Sequence, residues 1–420
     1  LVDAEIYQVS DSMEAIRAAE LMEFGPANLI GGKDLQQDNR LWSIPGIVNV
    51  LQFNRVEGLA LRLPYAAEDK EGTIRRWEAA LGYGFLDRRF KGSALGRFEV
   101  GGREPAFLTI AAYSGLSTLF RDAQLYSDAL ISLAAVFDRY DGRDYFYRSG
   151  ASVQWETHVL PRLEVGMGAG WTDYGSAEKH SDWSLLRKGV YRDNAAVNDG
   201  SMLSARISLT GDFRTRMLVA GRVSRPERKP SQLIPTLALE YQRMELDAGS
   251  WDLFIPQFSL SNDVDFGVYG TTEYRIEGAR ATNRLPVQSL LTLRGSEIGL
   301  TTPFRFRTAD IGEFGGDEHA AVFLDHNFGR LPLLWMGLPK GTFFATEMWE
   351  LRLFLAAGWT RMRPATRDLL TWDMKEARLP LVEAGIALNR LFGILRLDFG
   401  HRITHLGEGG DWFLGISIEE

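Results

Sequence analysis

The chain has 420 residues, a formal charge of −8 and no cysteine, which excludes a disulfide framework, a thiolate nucleophile and a cysteine-based zinc site. The acidic balance argues against a nucleic-acid partner, because phosphate binding needs a concentrated basic surface. No stretch approaches the roughly 20 apolar residues of a spanning helix, so a chain this rich in Gly (43), Phe (24), Tyr (13) and Trp (11) can cross a membrane only as a closed barrel.

Leu1 is neither an initiator Met nor the start of a signal peptide, as expected of a processed or truncated product. Ser10 to Met22 carries a helical run of apolar residues after a Ser/Asp start, and a Gly/Pro/Asn segment without alternation follows through Gly46. Residues 1–48 are therefore expected to be an N-terminal helix and linker, periplasmic or lumenal, and residues 49–420 the β-domain.

From there the pattern changes to period two. Trp77, Ala79, Leu81, Tyr83 and Phe85 alternate with Arg76, Glu78, Ala80, Gly82 and Gly84. Leu163, Val165, Met167, Ala169 and Trp171 alternate with Arg162, Glu164 and three glycines. At the far end Leu395, Leu397 and Phe399 alternate with Arg396, Asp398 and Gly400, and Val382, Ala384, Ile386 and Leu388 with Glu383, Gly385, Ala387 and Asn389. A large soluble antiparallel sheet with one wet face alternates in the same way, but so many glycines and opposite charges on the non-apolar face suit a crowded lumen. The fold class read from this pattern is an all-β transmembrane antiparallel barrel of about 16 strands, with 14 as the other even count.

Fifteen candidate strands can be marked: Val50–Tyr65, Ile74–Phe85, Ser93–Val100, Ala106–Tyr113, Ser152–Leu160, Arg162–Tyr174, Met202–Phe213, Leu233–Leu246, Asp252–Leu260, Val264–Gly278, His319–Phe328, Phe344–Trp359, Leu379–Leu388, Ile394–Ile403 and Trp412–Ile418. Single-chain bacterial barrels have an even number, so one is missed or spurious, with Tyr145–Arg148 and Met217–Val223 as places to look. Leu160-Pro161 and Arg390–Gly393 suit periplasmic turns, and Gly175–Gly200 and Met362–Arg378 suit extracellular loops. Leu125–Phe137 reads as a helical insert. The basic cluster Arg222, Arg225, Arg228 and Lys229 lies in a Pro-containing turn and reads as a solvated or headgroup-contacting loop.

Several residues along these strands resemble a known family. Asn54-Arg55-Val56-Glu57-Gly58 resembles the N-R-V-E-G first-strand motif of Gram-negative outer-membrane barrels of unknown function that follow a carboxypeptidase-regulatory-like domain. Val382 to Ile386, Leu395 to Gly400 and Phe413 to Ser417 resemble the closing strands of the wider BamA-like surface-antigen superfamily. The resemblance implies a bacterial outer-membrane location and a lumenal loop carrying an Arg-Gly motif. Leu293-Arg294-Gly295 stands at the matching place, so Arg294 is expected to bond a carboxylate of a later strand, with Glu350, Glu383 and Asp398 as candidates. Closure of the barrel further predicts that Val50–Tyr65 pairs with Trp412–Ile418, since an edge left open in hydrocarbon would strand backbone donors and acceptors. The chain departs from the family in having Ser296 where an aromatic is usual, in lacking client-handling repeats, and in ending on Ile418-Glu419-Glu420 rather than an aromatic residue.

Residues arranged for catalysis are sparse in the sequence. Six histidines are present, with no His-Glu-x-x-His and no Gly-x-Ser-x-Gly. Asp317, His319, Asp325 and His326 are the nearest thing to a rim hydrolase set. The inward charges Glu78, Glu164, Glu273, Glu277, Arg76, Arg275 and Arg396 are explained by pairing across a lumen. The expectation is a non-catalytic barrel without cofactor or metal, acting in outer-membrane biogenesis or transport or anchoring an envelope complex, with outer-membrane lipid and other envelope proteins as partners. A small-solute pore and a rim-active hydrolase are the alternatives.

Overall fold

The computed structural model describes residues 50–69, 73–102, 104–120, 126–214, 217–219, 222–224, 233–296, 302–337, 349–391, 395–407 and 410–418, with the backbone of 32–37 and 40–45. The expected helix at Ser10–Met22 lies outside the described residues.

The strands, in chain order, are β1 (Gly32–Gln37), β2 (Arg40–Pro45), β3 (Leu51–Asn54), β4 (Gly58–Asp69), β5 (Ile74–Gly84), β6 (Phe90–Val100), β7 (Ala106–Thr118), β8 (Tyr145–Leu160), β9 (Leu163–Ser176) and β10 (Gly200–Gly211). A small separate hairpin, β11 (Met217–Val219) and β12 (Arg222–Ser224), precedes β13 (Ile234–Leu246), β14 (Gly249–Asp265) and β15 (Thr271–Arg280). The loop pair β16 (Leu291–Thr292) and β17 (Gly315–Gly316) follows, then β18 (Glu318–Asn327), β19 (Glu350–Arg361), β20 (Leu381–Leu391), β21 (Leu395–Arg402) and β22 (Trp412–Ile418).

Eighteen of these join one antiparallel sheet. Because β2 and β3 follow each other along the same edge of β4, they form one stave, and β1 pairs only with β2. That leaves sixteen staves in simple up-and-down order. The sixteenth was hidden in Val50–Tyr65, which is two staves joined by a turn at Arg55–Glu57. Tyr145–Arg148 extends β8, and Met217–Val223 gives the hairpin outside the sheet. Gly32–Pro45, expected as linker, is a strand hairpin. The expected ladder between Val50–Tyr65 and Trp412–Ile418 is not present among the described residues: β3 pairs with β4, and β22 with β21.

Odd positions of β4 and β5 point outward, with Leu59, Leu63, Trp77 and Leu81 exposed. Leu353, Ile386, Leu397 and Leu414 are exposed on the last four staves, while Arg396, Asp398 and Arg402 between them are buried. An apolar outer face and a polar inner one are what a barrel in lipid requires. With an even number of staves, the connections 119–144, 177–199, 281–317 and 362–380 all leave the same end; such long loops mark the extracellular side, and the two-residue turn at Pro161-Arg162 the periplasmic one.

The long loops pack together. Leu119, Val197, Leu285, Val287, Met362 and Met374 bury one another with Met244 and Leu253 from the strand ends. The expected helical insert is α1 (Asp128–Asp138), capped by the Ser127 hydroxyl, which accepts from the Leu130 amide.

Candidate functional site

The lumen is filled unevenly. Along β4 to β10 its wall is half-exposed and encloses cavities of about 430 and 260 Å³. Against β18 to β21 the loop between β15 and β18 packs onto it.

That loop is held by Arg307 and Thr308. The Arg307 Nε donates to Asp398 Oδ1 at 2.8 Å, and its backbone amide to Glu383 Oε1 at 2.8 Å. The Thr308 amide and hydroxyl donate to Glu383 Oε2 at 2.8 and 2.7 Å. The wall has a flat seat for the guanidinium. Gly385 and Gly400 are direct partners across β20 and β21, and the absence of side chains there lets the Phe354 ring lie over them. Arg307 then stacks on Phe354, 3.6 Å from the ring centroid, a cation–π contact strengthened by burial.

A second tier of charge supports the first. Asp325 accepts from Arg352 Nε at 2.7 Å and Arg396 Nη2 at 2.9 Å, Arg396 also reaches Asp398, and Arg352 reaches Glu273 at 2.9 Å. Arg402 joins Glu313 of the loop at 3.0 Å and donates to the Thr308 carbonyl. Alternating guanidinium and carboxylate groups in this way keeps each buried charge beside its opposite.

The expected lock residue is displaced. Arg294 lies in the same loop but pairs with Glu277 of β15 at 3.1 Å, and its side chain is 43% exposed. Of its expected partners, Glu383 and Asp398 are taken by Arg307, while Glu350 bonds Asn327 and Arg390. Gly295 still serves the loop: a Cβ there would run into the backbone of Ala309 and Asp310. The bridging position thus lies thirteen residues after Arg294. The sequence signal for its seat was the repeat of an acid two residues before a glycine, Glu383-Ala384-Gly385 and Asp398-Phe399-Gly400.

The second constellation is the turn at Asn54–Gly58, not the first strand itself. The Asn54 Oδ1 accepts from the amides of Val56 and Glu57 at 2.9 and 2.8 Å, closing the turn from its side chain. Gly58 has φ +63°, and a Cβ there would meet Leu86 at 2.6 Å, so only glycine fits. Glu57 is buried and takes Arg62 at 2.9 Å and Lys91 at 2.8 Å; the turn brings Glu57 and Arg62, of opposite parity, together. Arg55 is fully buried among the extracellular loops, donating to the Asp141 carbonyl at 2.8 Å, Asp144 at 2.9 Å and Asn194 at 3.3 Å. Its carbonyl accepts from the amides of His180 and Ser181. Loops 119–144 and 177–199 are thereby tied to the first stave.

The acid and histidine set at β18 does not converge. Asp317 accepts from Thr366 Oγ1 at 2.6 Å at the extracellular end, and Asp325 belongs to the charge tier eight residues on, about 26 Å away along a strand. His326 bonds Thr272 and the Tyr269 carbonyl. At the periplasmic rim His158, Glu164 and Asp212 do cluster. Arg214 already supplies a cation there, bonding both Asp212 oxygens at 2.8 Å. Burial alone would raise the Asp212 carboxyl, but Arg214 and His158 outweigh it and hold it well below the usual carboxylate range.

Sixteen alternating staves, a polar lumen with an inserted loop and an apolar outer face define a β-barrel of the bacterial outer membrane. Residues 27–288 match the C-terminal domain of a family of unknown function (DUF5686), and the chain belongs to that family. The sequence matches no curated protein. Among solved structures the chain is similar to BamA from Haemophilus ducreyi lacking POTRA domains 1-3, at 10% identity and a TM-score of 0.48 over 88% of this chain and 69% of that one. It is also similar to CdiB from Acinetobacter baumannii, at 10% identity and a TM-score of 0.43 over 88% and 57%. OccK11 (OpdR) from Pseudomonas aeruginosa follows at 12% identity and a TM-score of 0.32 over 85% and 87%. The chain spans less than two thirds of the length of CdiB.

Proposed function

We propose that this chain is a plugged, non-catalytic outer-membrane barrel of BamA-like type that works in envelope biogenesis or transport as the membrane-embedded part of a larger assembly. The observation that carries the reading is Arg307 stacked on Phe354 and bonded to Asp398 inside the barrel. A passive pore gains from an unobstructed lumen, whereas here one wall is covered by a loop that the buried Arg307–Asp398 pair and the bonds of residues 307 and 308 to Glu383 hold in place. The extracellular loops tied through Arg55 add a cap over the same lumen.

The test is a pair of measurements on one preparation. In planar bilayers the wild-type chain is expected to give no steady open channel. Affinity capture of the full-length protein from its native envelope, read by mass spectrometry, is expected to return other envelope proteins in fixed proportion. A steady, large conductance with no co-purifying protein would establish the small-solute pore instead.

A further inference from the structure

The outer side of the extracellular cap carries apolar residues that the packing of the loops does not use. Leu130, Leu133 and Phe137 are exposed on one face of α1, at the i, i+3 and i+7 positions. The neighbouring segment 182–190 presents Leu185 and, still further out, Leu186 at 74% and Val190 at 70% exposure. The two pieces are one surface: the Leu185 amide donates to the Val136 carbonyl at 2.7 Å, the Tyr191 hydroxyl to the Ala135 carbonyl at 2.7 Å, and Arg187 pairs with Asp138.

The position of this surface is set by Phe53. It stands directly opposite Leu59 across β3 and β4, and so belongs to the outward face on which Leu51, Leu59 and Leu63 are exposed to lipid. Phe53 is nevertheless buried, packed with Ala135 and Tyr191 and edge-on to the Trp183 ring at 5.5 Å. Part of α1 and the segment 182–191 therefore cover the lipid-facing side of the first stave at its extracellular rim. The exposed apolar residues continue the barrel's own lipid belt, and Arg187 and Lys188 stand exposed among them.

We propose that α1 and the segment 182–190 form a membrane-seated element, which lays Leu186, Val190 and the outer face of α1 into the surface of the bilayer while Arg187 and Lys188 meet acidic lipid headgroups. A surface with an apolar face, an aromatic residue and flanking basic groups binds at the headgroup boundary by both contributions. The element also holds the cap against the rim, so the loops tied by Arg55 are braced on the membrane as well as on the barrel.

The absence of cysteine makes the test clean. Leu186→Cys and Val190→Cys, each carrying a polarity-sensitive fluorophore, are reconstituted in phosphatidylcholine vesicles with and without phosphatidylglycerol. Leu81→Cys on the lipid face and Asp247→Cys at an exposed turn of the same end serve as references. The expected result is emission and quenching by nitroxide-labelled lipid close to Leu81→Cys, increased by phosphatidylglycerol and reduced by Arg187→Glu with Lys188→Glu. Quenching by aqueous iodide equal to that at Asp247→Cys would overturn the proposal. Shielding that appears only as protein concentration rises would also overturn it, since it would assign the surface to a second copy.

Discussion

Replacing Arg307 with Ala removes a guanidinium that bonds Asp398 at 2.8 Å and lies 3.6 Å above the Phe354 ring. Breaking a buried ion pair from one side costs about 3–5 kcal/mol. The low end applies, because Asp398 keeps Arg396 at 2.9 Å and the backbone bonds of residues 307 and 308 to Glu383 do not need the side chain. A loss of about 3 kcal/mol, set against an unfolding entropy of about 2.1 cal/mol/K per residue, is a lowering of the midpoint by about 3 °C for a chain of 420 residues. The assay is the temperature at which the folded barrel in detergent converts to its unfolded band on a gel. Arg294→Ala is the matched control: its side chain is 43% exposed, and Glu277, which is buried, keeps Arg275 at 2.7 Å after the change, so a smaller loss than for Arg307→Ala is expected. The double variant Arg307→Ala with Asp398→Asn is expected to fall short of the sum of the singles by about 0.5–3 kcal/mol. If Arg307→Ala melts as the wild type does and Arg294→Ala falls by several degrees, the lock belongs to Arg294 and the reasoning fails.

Arg55→Ala leaves Asp141 buried without its cation and is expected to cost about 3–5 kcal/mol; limited proteolysis of intact vesicles is then expected to cut loops 119–144 and 177–199 faster, and an unchanged pattern would deny the tie. Gly385→Ala places a Cβ against the Phe354 ring and the Phe399 carbonyl, an overpacking expected to cost about 1–3 kcal/mol, whereas Gly102→Ala, with nothing near its Cβ, is expected to be neutral in the same thermal assay. Because the Asp212 carboxyl is held below its unfolded value, its contribution is present at neutral pH and lost as pH falls below about 4. The thermal gap between wild type and Asp212→Asn is therefore expected to be full at pH 7, to start narrowing below about pH 4, and to persist in part at pH 3, because the folded-state carboxylate resists protonation there.

The outward and inward faces of the closing staves were legible because lipid penalises a charge on the wrong side, so Arg396 and Asp398 could only point in. The same physics held the clue to the missed stave. Arg55 and Glu57 fall on the same parity as Phe53 and Leu59, and a basic residue facing hydrocarbon costs about 2–4 kcal/mol at mid-depth. The unbroken alternation from Leu51 to Leu63 had to be interrupted there, and the Asn54 and Gly58 that flank it are turn residues. Arg307 was not legible in this way. Its role depends on a loop crossing the lumen to a seat made by Phe354, Gly385 and Gly400, three residues from three staves that only register brings together. The Arg-Gly pair drew attention to Arg294 through local spacing, which says nothing about how far a loop reaches. Gly32–Pro45 escaped because its strand residues include Lys, Asp, Gln and Arg without a repeating apolar face.

The central claim, that the loop between β15 and β18 lies locked against the wall, is tested most directly by a cysteine pair. A Cβ at Gly400 would lie 3.7 Å from the Arg307 Cβ, within the roughly 3.5–4.5 Å that a disulfide spans, and the Thr308 bonds to Glu383 remain to hold the loop in place. Arg307→Cys with Gly400→Cys, expressed in the outer membrane and mildly oxidised, is expected to lose both thiols to an internal disulfide while each single variant stays reactive. Two thiols that remain open to a water-soluble maleimide after oxidation would contradict the account.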